Sequence, residues 1–143
     1  MDKVLIDSDV LLDSFAGRVP FSDSADKILS LCSSGKLKGF VSPVIISNVY
    51  YVLRKVGSHK KVTDKLRELL TIVDVIDMKK ESILTALNSK FKDFEDAMQY
   101  YSALDSSEIS IICTRNIKDY KLSDLPVLAP GAYIKSVYLR KNN

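Results

Sequence analysis

The sequence predicts an α/β domain built on a parallel sheet with helices on both faces. Two short, predominantly apolar runs, Val4-Leu5-Ile6 and Ile109 to Cys113, are too short for helices and suit strands buried on both sides. Between them, strand-like and helix-like segments alternate, as they do in sheets covered by crossover helices. The bulk numbers allow it: 143 residues, 46% hydrophobic and 27% charged, fit one domain with a real core and argue against disorder.

Taken in order, the first strand ends in Asp7-Ser8-Asp9, and Val10 to Phe15 reads as a short helix. Ser22 or Asp23 can cap a second helix to about Ser34, with Gly35 as its left-handed stop. Gly39-Phe40-Val41 is the next strand. Ser42-Pro43 gives an N-cap and a proline at the first helical position, followed by the stripe Ile45, Val49, Val52, Leu53 and Val56, with Gly57 as the stop. Ser58 begins another helix with Val62, Leu66, Leu69 and Leu70 inward. Ile72 to Ile76 alternates like a strand. Helices follow near 79–90 and 93–105, then the strand ending at Cys113, a short strand at Pro126-Val127-Leu128, and a last helix from Tyr133 to Leu139 ahead of a frayed Lys141-Asn142-Asn143 tail. There is no repeat or linker, so residues 1–143 form a single domain.

Composition narrows the setting. Cys32 and Cys113 each lie in apolar segments, which reads as buried free thiols rather than a disulfide or a metal site. The N-terminus has no secretory layout and no apolar run approaches membrane length, so a reducing cytoplasm is expected and no membrane. A net charge of +3 neither demands nor excludes a nucleic-acid partner, because net charge hides its distribution.

The chemistry lies in the acids. Ligands of open parallel sheets collect beyond the carboxyl ends of the strands near the switch point. Asp7 and Asp9 follow the first strand directly; Asn116 and Asp119 follow the strand that ends at Cys113, through Thr114-Arg115. If those strands are central neighbours, these groups converge. In Asp93-Phe94-Glu95-Asp96-Ala97-Met98-Gln99-Tyr100-Tyr101, the residues Phe94, Ala97, Met98 and Tyr101 should face the core. Asp93 and Asp96 would then share the border of that stripe. Clustered carboxylates repel and take up protons unless a cation neutralises them, and Mg²⁺ or Mn²⁺ suits oxygen ligands while keeping waters. Such a site can activate water for attack on a phosphodiester. Plainer roles stand beside this one. Asp93 and Asp96 have capping-box spacing, Asp9 suits a helix cap, and Asp119 suits a turn.

The motifs resemble the PIN-domain family, including VapC-like toxins. Val4-Leu5-Ile6-Asp7-Ser8-Asp9-Val10-Leu11-Leu12 is similar to its opening strand and turn, and Asp93-Phe94-Glu95-Asp96-Ala97 to its third acidic motif. Ile111-Ile112-Cys113-Thr114-Arg115-Asn116-Ile117-Lys118-Asp119-Tyr120 is similar to its late strand and Thr-Arg-Asp/Asn-x-x-Asp-Phe/Tyr segment. The resemblance implies a three-layer fold with a twisted parallel sheet of about five strands. It also implies a Mg²⁺- or Mn²⁺-dependent ribonuclease, commonly the toxin of a toxin–antitoxin pair. On that basis Asp7, Asp96 and Asp119 would be catalytic metal ligands with Asn116 assisting, and Ser8, Asp9, Asp93 and Thr114 would support them. Asn48 stands where the family usually carries a Glu, and Asn116 where many members carry Asp, so the cluster has fewer charges than a full set.

An RNA substrate needs cations. Arg115, Lys118 and Lys121 adjoin the acids; Arg54-Lys55 and His59-Lys60-Lys61 lie elsewhere, and the last pair reads as a solvated face. The partners implied are RNA and an antitoxin, and the sequence leaves a homodimer open. Two rivals remain. One is a catalytically silent PIN-like domain that binds RNA or protein, which Asn48 and Asn116 support. The other is a receiver domain with Asp77 as phosphoacceptor, which lacks a convincing Lys after the last strand.

Overall fold

The computed structural model describes residues 1–142. Strand β1 (Lys3–Ile6) buries Val4, Leu5 and Ile6 in succession. Neighbouring strand residues point to opposite faces, so this unbroken run means both faces of the sheet are covered. The strand lies at the centre of a five-stranded, wholly parallel sheet of order β3-β2-β1-β4-β5. Its companions are β2 (Lys38–Val41), β3 (Val73–Val75), β4 (Ile111–Cys113) and β5 (Val127–Leu128). All five expected strands occur. β3 is shorter than Ile72–Ile76 because it is an edge strand, with Asp74 and Val75 turned to solvent.

Among the described residues, seven α-helices connect and cover the strands: α1 (Ser8–Phe15), α2 (Ser22–Ser33), α3 (Pro43–Leu53), α4 (His59–Leu69), α5 (Lys80–Leu87), α6 (Phe94–Ser106) and α7 (Pro130–Asn142). Caps explain several starts. Ser42 Oγ accepts from Ile45 N at 3.0 Å ahead of Pro43, and Ser58 Oγ accepts from Lys61 N at 3.2 Å. Gly35, at φ +75°, takes the left-handed conformation after α2. α1 packs on α2 and α3, α2 on α7, α3 on α4, and α5 on α6. No helix is long and apolar enough to cross a membrane among the described residues, and both cysteines are free and buried.

Several local expectations need correction. Neither Ser22 nor Asp23 caps α2. Its N-cap is Phe21, already helical, because the chain enters from a turn in which Phe21 N and Ser22 N bond to Arg18 O. Val56 lies past the end of α3, and Leu70 is the C-cap of α4; both are exposed. In α6 the buried face comprises Ala97, Gln99, Tyr100, Ser102 and Ala103, while Phe94 at the helix start is exposed and Met98 and Tyr101 are half-buried. The helix is rotated from the apolar stripe because Gln99 and Tyr100 have partners to meet inside. α7 starts at Pro130, with Tyr133 N bonded to Ala129 O at 2.9 Å, and runs past Leu139 through Asn142. Asn143 lies outside the described residues.

Close packing at the sheet depends on one glycine. A Cβ on Gly39 would stand 2.7 Å from Cys32 Sγ and 3.0 Å from both Ile6 Cδ1 and Val73 Cγ1, so α2 can approach β2 only over a bare backbone. For function, the decisive register is Ile6 opposite Cys113. It sets Asp7 and Thr114, the next residue on each strand, side by side at the point where the chain order reverses.

Candidate active site

Three elements bring polar groups to the carboxyl ends of β1 and β4. Pairing continues one step beyond the strands, with Asp7 N bonded to Cys113 O and Thr114 N to Leu128 O, both at 3.0 Å. Asp7, only 6% exposed, is the N-cap of α1, and its Oδ1 accepts from Ser8 N at 2.8 Å. Its Oδ2 accepts from Thr114 Oγ1 at 3.0 Å. Ser8 Oγ lies 3.5 Å from Oδ1. A carboxylate closing a buried strand is therefore locked between a helix start and the neighbouring strand.

Asp96 comes from the first turn of α6. Asp93, the N-cap, accepts from Asp96 N at 2.9 Å, so the capping role of Asp93 is present. The two acids meet on a phenol. Tyr120 OH lies 3.2 Å from Asp96 Oδ1 and 3.4 Å from Asp7 Oδ2. Behind it, Gln99 Nε2 donates to Tyr120 OH at 3.3 Å, and Ser42 Oγ donates to Gln99 Oε1 at 2.9 Å, which fixes the orientation of the amide. All three of these side chains are buried. The phenol has one proton to donate, so the two carboxylates compete for it.

The electrostatics agree. Burial first, then the charge of Asp9, pushes Asp7 up to about 6. Burial first, then the charges of Asp7 and Asp93 and finally of Asp119, pushes Asp96 up to about 7. Asp9, raised mainly by burial, is not the helix cap. Its Oδ2 accepts from Arg115 N at 2.9 Å, tying α1 to the exit of β4, and lies 3.3 Å from Thr114 Oγ1, whose single proton goes to the nearer Asp7. Asp119 and Asn116 are exposed, in and before a 3-10 helix (Ile117–Tyr120); Asn116 N bonds to Thr114 Oγ1 at 3.0 Å.

Arg115 is engaged elsewhere. Its Nε and Nη2 donate to Asp13 at 2.5 and 3.0 Å, and its guanidinium lies 3.9 Å from the centroid of the Phe21 ring. Asp13 is fully buried and also has Arg18 at 3.7 Å, so the Arg115 charge is neutralised inside the protein rather than offered to solvent phosphates. Asn48 Nδ2 donates to Glu95 Oε2 at 3.0 Å, so a carboxylate from α6 stands beside the α3 amide.

Sequence reading missed Asp13, Gln99, Ser42 and Glu95 as parts of this neighbourhood, and saw Tyr120 only as the end of a motif. The available signals were a lone acid in the apolar Val10-to-Phe15 helix and a glutamine three residues after Asp96.

Among the described residues, no three His, Cys, Asp or Glu side chains form a ready cage for a metal. The donors nonetheless suit one kind of ion. Two repelling, partly protonated carboxylates sharing a single phenol form an all-oxygen set, and Mg²⁺-like ions bind through one or two carboxylates plus waters and substrate phosphates rather than in closed protein cages.

The family described as PIN domain matches residues 3–118. Ribonuclease VapC1 of Aquifex aeolicus (strain VF5) is 28% identical over 132 residues, covering 89% of this chain and 90% of that protein. A toxin–antitoxin complex from Klebsiella pneumoniae is similar in fold at a TM-score of 0.64 and 23% identity, covering 89% of this chain and 97% of that one. VapBC2 from Rickettsia felis, bound to a DNA fragment from its promoter, is similar at 0.63 and 15%, covering 88% and 96%. With the parallel five-stranded sheet and the acids at its switch point, these matches place the chain in the PIN domain family.

Proposed function

We propose that this chain is a divalent-metal-dependent endoribonuclease of the cytoplasm, acting as the toxin of a toxin–antitoxin pair. The observation that carries the reading is the meeting of Asp7 and Asp96, from the end of β1 and the start of α6, on the hydroxyl of Tyr120. A bound Mg²⁺ or Mn²⁺ would supply water activation and stabilisation of the leaving oxygen. Asp7 and Asp96 would hold it, with Asp119 and Asn116 closing the exposed side. Thr114 and Ser8 keep Asp7 in place, Asp9 anchors the exit of β4, and Asp93 fixes the first turn of α6. Tyr120 and Gln99 separate the acids from the core and set the spacing between them.

RNA as substrate is supported by the likeness to a ribonuclease, and an antitoxin partner by the likeness to proteins solved as toxin–antitoxin complexes. Lys118, exposed beside Asp119, would meet phosphate; Arg115 would act through its backbone N–H and its pairing with Asp13. A catalytically silent RNA- or protein-binding module is the second reading, favoured by Asn48, whose amide is already taken up by Glu95.

The test is cleavage of a mixed cellular RNA pool in Mn²⁺ and in EDTA, by wild type, Asp96→Asn and Asp7→Asn. Metal-dependent fragments from wild type and none from either variant are expected. Equal cleavage by Asp96→Asn, or no metal dependence, would overturn the reading.

A further inference from the structure

A groove of about 350 Å³ is lined by the loop joining α5 to α6 on one side and by the 3-10 helix and the two residues after it on the other, with Asp93 and Asp119 in its wall. Lys90 and Lys92 line it from the loop, and Lys118 and Lys121 from the opposite side. All four are exposed, and none forms an ion pair among the described residues. Arg115, the other cation near the acids, is bound to Asp13. Four lysines outside any ion pair outnumber the two carboxylates, Asp93 and Asp119, that line the same groove, and the remaining positive charge favours a polyanion laid along it.

The loop is not adrift. Phe91, between the two lysines, packs against Tyr100, Tyr101 and Tyr120 with ring centroids 5.2, 5.9 and 6.4 Å away. Tyr120 is the phenol shared by Asp7 and Asp96. The position of Lys90 and Lys92 is thus tied through one aromatic cluster to the acids themselves.

We infer that this groove is the track along which the backbone of single-stranded RNA reaches the acid site, with Lys90, Lys92, Lys118 and Lys121 gripping successive phosphates. The inference rests on the ribonuclease reading for its substrate. A nucleic-acid strand is favoured over an acidic protein because the groove borders the acid site through Asp93, whose carboxylate bonds Asp96 N, and Asp119, the neighbour of Tyr120 in the 3-10 helix. Phe91 and Leu122 also add apolar wall beside the charges.

The experiment is a fluorescence-anisotropy titration of a labelled single-stranded RNA of mixed sequence in EDTA, which separates binding from cleavage, repeated across salt. Four phosphate contacts on a single strand give a log–log salt slope of about −2.8, or about a 50-fold loss of affinity from about 50 to 200 mM salt. Lys90→Ala/Lys92→Ala should bind more weakly, with a slope of about −1.4 and a loss of about 7-fold over the same range. Lys90→Arg/Lys92→Arg should keep the wild-type slope. So should Lys27→Ala/Lys36→Ala, in and just after α2, a helix that packs on α1 and α7. An unchanged slope in Lys90→Ala/Lys92→Ala overturns the groove while leaving metal-dependent cleavage by wild type intact. Wild type that binds a polyglutamate peptide but no RNA also overturns it, in favour of a protein partner. A slope halved as expected in a chain that cleaves nothing would uphold the groove and sink the catalytic reading.

Discussion

Replacing Asp7 by Asn tests whether the acid cluster costs the fold stability when no cation is present. Burial and then Asp9 hold the Asp7 carboxyl at about 6, against 3.8 in an open chain, so the folded state binds the proton more tightly than the unfolded state. For a raised carboxyl, the stabilisation is complete below the unfolded value of 3.8 and is lost as pH rises through about 6. The gap of about two pH units, at about 1.4 kcal/mol each, makes the ionised form about 3 kcal/mol worse for folding than the neutral one. Asparagine cannot ionise. Its amide oxygen still accepts from Ser8 N, while the bond from Thr114 Oγ1 is disturbed at about 1 kcal/mol. In EDTA at pH 8, Asp7→Asn should therefore be about 2 kcal/mol more stable than wild type by urea unfolding. The advantage should shrink as pH falls through about 6 and turn into a small loss near pH 4. A variant less stable than wild type at pH 8, or an advantage that grows on acidification, would refute the reasoning.

Other perturbations probe separate parts of the account. Arg115→Ala leaves the fully buried Asp13 with only Arg18, at 3.7 Å, and should cost about 3 kcal/mol in urea unfolding, where a surface phosphate contact would cost almost nothing. Tyr120→Phe removes the hydroxyl between Asp7, Asp96 and Gln99 and should cost about 1–2 kcal/mol in the metal-free protein, read by thermal unfolding. Gly39→Ala drives a methyl into Cys32 Sγ and should cost about 1–3 kcal/mol, part of which Cys32→Ala in the same chain should restore.

The sheet was legible in the sequence because buried parallel strands leave a simple mark. Val4-Leu5-Ile6 and Ile111-Ile112-Cys113 are apolar without alternation, and the register between them sets Asp7 and Asp9 beside Thr114 and Arg115, while Asn116 and Asp119 stand exposed. Starts marked by a side-chain cap, at Ser42 and Ser58, were legible too. Where the cap is a backbone turn, as at Phe21, composition gives no sign of it. The face of α6 was misjudged because apolar periodicity cannot register a buried glutamine, and Gln99 is inside for its bonds to Ser42 and Tyr120, not for its hydropathy. Arg115 shows the same limit. A basic residue in an acidic motif suggests phosphate, while its partner Asp13 is distant in sequence and becomes a neighbour only when α1 lies against the end of β4.

The most direct test of the acid cluster as a metal site is thermal unfolding of wild type, Asp7→Asn and Asp96→Asn during titration with Mn²⁺ and Mg²⁺. A cation that binds only the folded state adds about 2.7 kcal/mol at a hundred times its Kd. Wild type should therefore gain stability progressively with metal, while both variants, each measured from its own metal-free baseline, should show no gain. Metal that leaves wild type unchanged at millimolar concentration, or that stabilises Asp96→Asn as much as wild type, would contradict the assignment of Asp7 and Asp96 as its ligands.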